Sequence, residues 1–134
     1  MKKKHRLLVL ILLLLASPAV LTGCLAAVAI GGGAAVGAGT IAYLKGELKS
    51  TEGYSFSRVW AATVKTVEEL DFIVVNKVSD AISGQYECVT ADNKKVHINV
   101  KRIGDNITEI TIRVGTFGDE TLSRYILNKI QSNI

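Results

Sequence analysis

Two cysteines and one histidine are the residues of this sequence whose types and spacing are most open to a chemical role. Cys88 falls on the apolar side of a predicted strand, and His97 falls on the polar side of the next predicted strand. Side chains on opposite faces of a sheet cannot form a nucleophile–base pair. One thiol and one histidine also supply too few ligands for a zinc site. We therefore predict no catalytic residues, no metal site, no cofactor and no enzyme activity.

The loop GTFGDE, residues 115–120, is the second candidate for chemistry. A glycine-rich turn before a helix can bind an anion through free backbone N–H groups. In the structural alternative, Thr116 and Asp119 form a capping box and the carboxylate lies near the positive end of the helix dipole. The loop contains no lysine to hold a phosphate. We favour the helix start and keep a small-ligand site or an enzyme site here as an alternative.

The first 24 residues have the order of a bacterial export signal: the basic MKKKHR, the apolar LLVLILLLLASPAV, then LTGC. The LTGC tetrapeptide resembles the bacterial lipobox. This resemblance implies cleavage between Gly23 and Cys24, an S-diacylglycerol group on the Cys24 thiol and an N-acyl group on the freed amine. We thus assign residues 1–23 to a signal peptide, with an uncleaved membrane helix as the alternative. Several acyl chains anchor a protein stably in a membrane, which makes membrane lipid the first predicted partner.

Lipidation of Cys24 would have two further consequences. It would exclude a disulfide with Cys88, which we then expect to be a packed core thiol, with an intermolecular or redox role as the alternative. Leu25 follows the modified cysteine, whereas an aspartate at this position favours retention in the inner membrane in enterobacteria-like sorting. We therefore expect a lipid anchor in the bacterial cell envelope, in the outer membrane rather than the inner one.

Residues 24–44 contain the lipidated cysteine and a twenty-residue uncharged run rich in alanine and glycine. That run is long enough to span a bilayer. Ala29, Gly33 and Gly37 recur at intervals of four, as in closely packed membrane helices. One hypothesis is a membrane-inserting segment that self-associates through these residues and gives a homo-oligomer. The other is a flexible tether, because each glycine disfavours a helix by about 1 kcal/mol relative to alanine.

The positive charge of the chain is confined to its N-terminus. The formal net charge is +4, from 16 basic and 12 acidic residues, and Lys2, Lys3, Lys4 and Arg6 supply all of the excess. The rest of the chain has no surplus of positive charge, so we predict no nucleic-acid partner.

Residues 45–134 are assigned to one globular domain. The predicted elements are a strand in AYLKGELKSTEG, a helix in YSFSRVWAATVKTVEELDF, strands in FIVVNKVS, ISGQYECVTA, KVHINVKRI and ITEITIRV, and a helix in GDETLSRYILNKIQSNI. The order β-α-β-β-β-β-α predicts an α+β two-layer sandwich. Its mostly antiparallel sheet would have four to five strands, with both helices on one face.

Alternation along the strands predicts which side chains face the core. The inward set is Ile82, Tyr86, Cys88, Val96, Ile98, Val100, Ile110, Ile112 and Val114. The opposite face is polar and carries charges of both signs, which is typical of a solvated surface. Within that face, we take His97, Asn99, Lys101 and Arg113 as candidates for docking a protein partner.

Several stretches together identify a family resemblance: the lipobox, GTIAYLKGEL, RVWAATVKTVEEL and GDNITEITIRVGTFGDETLSRYILNKI. The chain resembles a family of small bacterial lipoproteins that is classed as a domain of unknown function. The resemblance implies an envelope location and offers no catalytic residues. Our leading interpretation is a non-enzymatic binding or structural module, anchored to the membrane by lipid.

Overall fold

The computed structural model describes residues 39–134, which fold into two helices and six strands. The elements are β1 (Ile41–Leu44), β2 (Glu47–Glu52), α1 (Phe56–Glu69), β3 (Ile73–Ser79), β4 (Ser83–Val89), β5 (Lys95–Gly104), β6 (Ile107–Val114) and α2 (Glu120–Asn133). Every strand pairing is antiparallel. The α+β class is therefore confirmed.

The predicted strand number and element order were wrong in one detail, at the start of the domain. A single strand was expected in AYLKGELKSTEG, but the chain reverses at Lys45 and Gly46 and forms the hairpin β1–β2. Both turn residues have positive φ, 52° and 82°, which is the backbone geometry of a tight two-residue hairpin turn. The observed order is β-β-α-β-β-β-β-α, and the sheet has six strands rather than four or five.

The strand order across the sheet is β1-β2-β6-β5-β4-β3. Strands β3 to β6 form a meander, and the N-terminal hairpin joins it by pairing β2 with β6. This arrangement makes β5 and β6 central strands, and leaves β1 and β3 as the two edges.

The core lies between the sheet and the two helices. The inward side chains of β5 and β6 match the predicted alternation: Val96, Ile98, Val100, Ile110, Ile112 and Val114 are all buried. Helix α1 contributes Phe56, Val59 and Val67, and helix α2 contributes Ile126, Leu127 and Ile130. Burial of these apolar side chains supplies most of the driving force for folding.

Trp60 joins helix α1 to β4. Its ring stacks on Tyr86, with ring centres 5.1 Å apart, and lies so close to Gly84 that a Cβ there would be 2.5 Å from the indole. Gly84 therefore leaves the space that lets the indole lie flat on the sheet. The contact extends the helical layer as far as β4.

Ile82 was predicted to face the core, and this was wrong because its side chain is exposed. The Asp80 carboxylate accepts hydrogen bonds from the backbone N–H groups of Ile82 and Ser83, at 2.8 and 2.7 Å. These bonds hold Ile82 in a turn, and β4 begins only at Ser83. They also lower the pKa of the Asp80 carboxyl, because the backbone donors favour its charged form.

Candidate functional site

The sheet face that the helices leave open has a row of charged residues near the end of the sheet where β2 and β5 begin. Arg113 on β6 is opposite Glu47 on β2 and His97 on β5, and His97 is opposite Glu87 on β4. Arg113 Nη1 lies 3.5 Å from Glu47 Oε1, and His97 Nδ1 lies 3.9 Å from Glu87 Oε1. The order of the groups across the sheet is therefore carboxylate, guanidinium, imidazole and carboxylate. Such cross-strand pairs stabilise the sheet modestly.

The four candidate docking residues all lie on this open face. His97 and Arg113 are half-buried and directly opposite each other, while Asn99 and Lys101 are exposed. Asn99 is opposite Thr111 and Lys101 is opposite Glu109. That these residues bind a partner stays a prediction.

Arg113 is also engaged with the backbone. Its Nη2 donates a hydrogen bond of 2.7 Å to the Thr116 carbonyl oxygen, and its Nη1 donates one of 3.5 Å to the Lys45 carbonyl oxygen. The guanidinium therefore links the β1–β2 turn to the β6–α2 loop. Of the four candidates, it is the one with a clear structural task.

The β3 strand is the most exposed element of the described chain: all seven of its residues are exposed. Four of them are apolar, namely Ile73, Val74, Val75 and Val78, and Val75 is 66% exposed. A long apolar edge strand is uncommon, because its unpaired backbone groups can template the addition of another strand.

A β-bulge changes which β3 side chains share a face. The register shifts between Val74, opposite Cys88, and Asn76, opposite Glu87. Without the bulge, Val74 and Val78 would point to the same face. With it, Val78 is opposite the exposed Gln85, on the open face of the sheet.

Two shallow depressions adjoin β3 on this open face. One, of about 160 Å³, lies between Val75 on β3 and His97 on β5. The other, of about 240 Å³, lies between Val78 on β3 and Lys101 on β5. Both are lined by residues of β3, β4 and β5, so they lie over β4, on the inner side of the edge strand.

The lysines near β3 lie on both faces of the sheet: Lys77 is opposite the core-facing Tyr86, on the helix side, whereas Lys95 and Lys101 line the depressions on the open face together with Glu87. Within the described residues, neither Lys77 nor Lys95 has a carboxylate oxygen within 4.0 Å. The amine of Lys77 lies over the Tyr86 ring, 5.2 Å from its centre. Lys77 thus supplies a positive charge on β3 itself, which an acidic side chain of a partner strand can face.

Cys88 is a free, buried thiol on the core side of β4. Desolvation raises its pKa to about 11, so the reactive thiolate is scarce at neutral pH. His97 lies on the open face, so the two side chains point to opposite sides of the sheet, as predicted. The burial supports the packed-thiol prediction.

The 115–120 loop starts α2, but the predicted capping box was wrong. The N-cap residue is Asp119, and its carboxylate accepts a 3.0 Å hydrogen bond from the Leu122 backbone N–H. The other carboxylate oxygen lies 3.0 Å from Lys94 Nζ. The Leu122 N–H and then Lys94 lower the pKa of Asp119, and the same ion pair raises the pKa of Lys94. The Asp119 carboxylate therefore occupies the position at the N-terminus of α2 where an anion would bind.

The remaining predicted site residues lie outside the described part of the chain: Gly23, Cys24, Ala29, Gly33 and Gly37. Among residues 39–134, no cluster of three or more His, Cys, Asp or Glu residues is arranged to hold a metal ion. Neither helix in this range is long and apolar enough to cross a membrane.

The sequence did not reveal the exposed edge. FIVVNKVS is apolar and β-branched, as a core strand would be, and only the sheet order places it at the edge. The irregular alternation of its middle residues, which corresponds to the bulge, was the one available signal.

Comparison with known protein families shows to which family the chain belongs. No curated protein matches the chain. A family described as a protein of unknown function, DUF3568, matches residues 7–133. This confirms the resemblance to a family without an assigned function, although the match does not test the lipobox. Since it covers nearly the whole sequence, the chain belongs to the DUF3568 family.

Proposed function

We propose that the protein is a lipid-anchored, non-enzymatic binding module of the bacterial cell envelope. The anchor rests on the sequence: a basic start, an apolar run and LTGC in the right order for lipidation of Cys24. The binding role rests on the domain, and on the uncovered β3 edge in particular.

The β3 edge supports a binding role because its exposure to solvent is energetically unfavourable. Four apolar side chains face solvent there, beside unpaired backbone groups. The helices of this protein cover the central strands, whereas β3 pairs only with β4. An added strand from a partner would satisfy the backbone and shield the valines.

The partner that fits is an extended segment of another envelope protein, with apolar residues and at least one acidic residue. Its apolar side chains would pack against Val75 and Val78, and its carboxylate would face Lys77. Main-chain hydrogen bonds would supply affinity, and the side-chain contacts would supply selectivity.

A second copy of β3 is a poorer partner for this edge, since it repeats the same lysine and the same bulge. Self-association through Ala29, Gly33 and Gly37 is a separate alternative. It is tested by deleting residues 25–38, which keeps Cys24 and leaves β1 intact. An unchanged oligomer size after this deletion would count against it.

The anchor is tested by growing cells with labelled palmitate. We expect label in the wild-type protein and none in the Cys24→Ala variant, which should also retain the signal peptide. Fractionation of the labelled cells should then place the protein in the outer membrane. An unlabelled wild-type protein would contradict the anchor.

The binding role is tested by photocrosslinking in intact cells, with a benzoylphenylalanine residue in place of Val78. We expect one discrete adduct with a different protein. The control position is Tyr125 on α2, which has similar exposure (55%, against 59% for Val78) and lies away from the edge. No adduct at Val78, equal adducts at both positions, or an adduct of twice the monomer mass would each contradict the proposed partner.

A further inference from the structure

Two exposed apolar side chains lie on adjacent turns at one end of the sheet. Phe117 is 93% exposed in the β6–α2 loop, and Leu44 is 68% exposed where β1 meets its turn. We refer to Leu44, Lys45 and Phe117 as the apolar tip. It is separate from the β3 edge, since β1 is at the opposite side of the sheet.

The backbone beneath the apolar tip is held firmly. A Cβ at Gly46 would lie 2.6 Å from the Phe117 carbonyl oxygen, so the two turns approach as closely as glycine allows. Gly118, with φ of 87°, is equally close, since a Cβ there would collide with the Gly46 backbone. Arg113 bonds to the carbonyl groups of Lys45 and Thr116, one from each turn. The loop therefore presents Phe117 in a fixed position without covering it.

We propose that the apolar tip inserts into the interfacial region of the membrane and orients the anchored domain, an inference that rests on the proposed lipid anchor. A lone protruding aromatic side chain suits a fluid apolar medium, which needs no preformed pocket. Lys45 lies beside it and, within the described residues, has no carboxylate within 4.0 Å, so it can contact anionic lipid headgroups.

The length of chain before the domain permits this orientation. Residues 25–38 separate Cys24 from the first described residue, and fourteen extended residues span at most about 50 Å. The longest strand, β5, has ten residues and is about 33 Å long. An anchored chain can therefore bring either end of the sheet to the bilayer. Because the anchor already confines the domain near the surface, a weak second contact suffices to set its orientation.

The test uses the full lipidated chain in vesicles of phosphatidylethanolamine and phosphatidylglycerol that contain a nitroxide-labelled lipid. A nitrobenzoxadiazole fluorophore is attached at Thr116→Cys, which leaves Phe117 in place. Cys88 is buried and should not compete for the label. The control label is at Ile103→Cys, an exposed apolar position at the other end of the sheet. We expect strong quenching at position 116, weak quenching at position 103, and loss of quenching at 116 when Phe117→Ser is added.

Flotation of the same vesicles separates this inference from the proposed anchor. Protein that floats with the vesicles but shows no quenching at 116, or equal quenching at 116 and 103, overturns the tip contact alone. Quenching at 116 that persists in Phe117→Ser also overturns it. Protein that does not float overturns the anchor and the tip contact together.

Discussion

The strands β6 and β3 contain similar residues but have opposite environments. β6, ITEITIRV, buries Thr108, Ile110, Ile112 and Val114 against the helices. β3, IVVNKVS, exposes every residue. β6 has a neighbour on each side and helices over one face, whereas β3 has a single neighbour at the edge of the sheet. β-Branched composition therefore indicates a strand, but the sheet order decides whether its side chains stabilise the core.

The largest expected difference between the two strands is in the free energy of unfolding. Ile112→Ala removes a fully buried side chain from the core, and we expect a loss of about 3–4 kcal/mol. Val78→Ala, on the exposed edge, should change stability by less than about 0.5 kcal/mol. Urea unfolding followed by Trp60 fluorescence measures both. Similar losses for the two variants would show that β3 is packed as tightly as β6.

The difference between these strands also explains which parts of the fold could be predicted from the sequence. Strict alternation in KVHINVKRI and ITEITIRV predicted the buried apolar residues of β5 and β6 correctly, because only one register of an alternating strand turns its apolar side chains towards the core. The burial of the polar Thr108 was not predicted. The Lys45–Gly46 turn was missed because it needs positive φ at a lysine, which no spacing signals. The exposure of β3 was missed because strand order depends on contacts distant in sequence, here the pairing of β2 with β6.

A smaller effect is expected where the helical layer reaches β4. Gly84→Ala places a methyl group against the Trp60 ring, and we expect a loss of about 1–3 kcal/mol from the displaced indole. The same substitution in a Trp60→Leu background should cost much less, because the clash is then gone. Both values come from urea unfolding, monitored by circular dichroism. Equal costs in the two backgrounds would place the strain elsewhere.

A weaker, pH-dependent effect is expected at the start of α2. The folded state lowers the pKa of the Asp119 carboxyl. The stabilisation that the charged carboxylate gives the folded state is therefore present above the ordinary pKa of the carboxyl, and it is lost as pH falls through the lowered value. Asp119→Ala should therefore lower the urea midpoint at pH 7. The difference in urea midpoint between this variant and the wild type, here called the gap, should disappear at acid pH. Asp105→Ala, at an exposed turn, is the control and should show a smaller gap. A gap that stays constant down to pH 2 would contradict the charge-based explanation.

The smallest expected effect on stability separates the binding role of β3 from any role in folding. Val75→Lys places a charge on an edge strand that is already exposed, so the urea midpoint should stay near that of the wild type. A lysine there would hinder an apolar partner strand, as edge lysines do in natural sheets. The adduct formed by a crosslinker at Val78 should therefore disappear, whereas Tyr125→Lys on α2 should preserve it. An adduct that survives in a folded Val75→Lys variant would show that the partner does not pair with this edge.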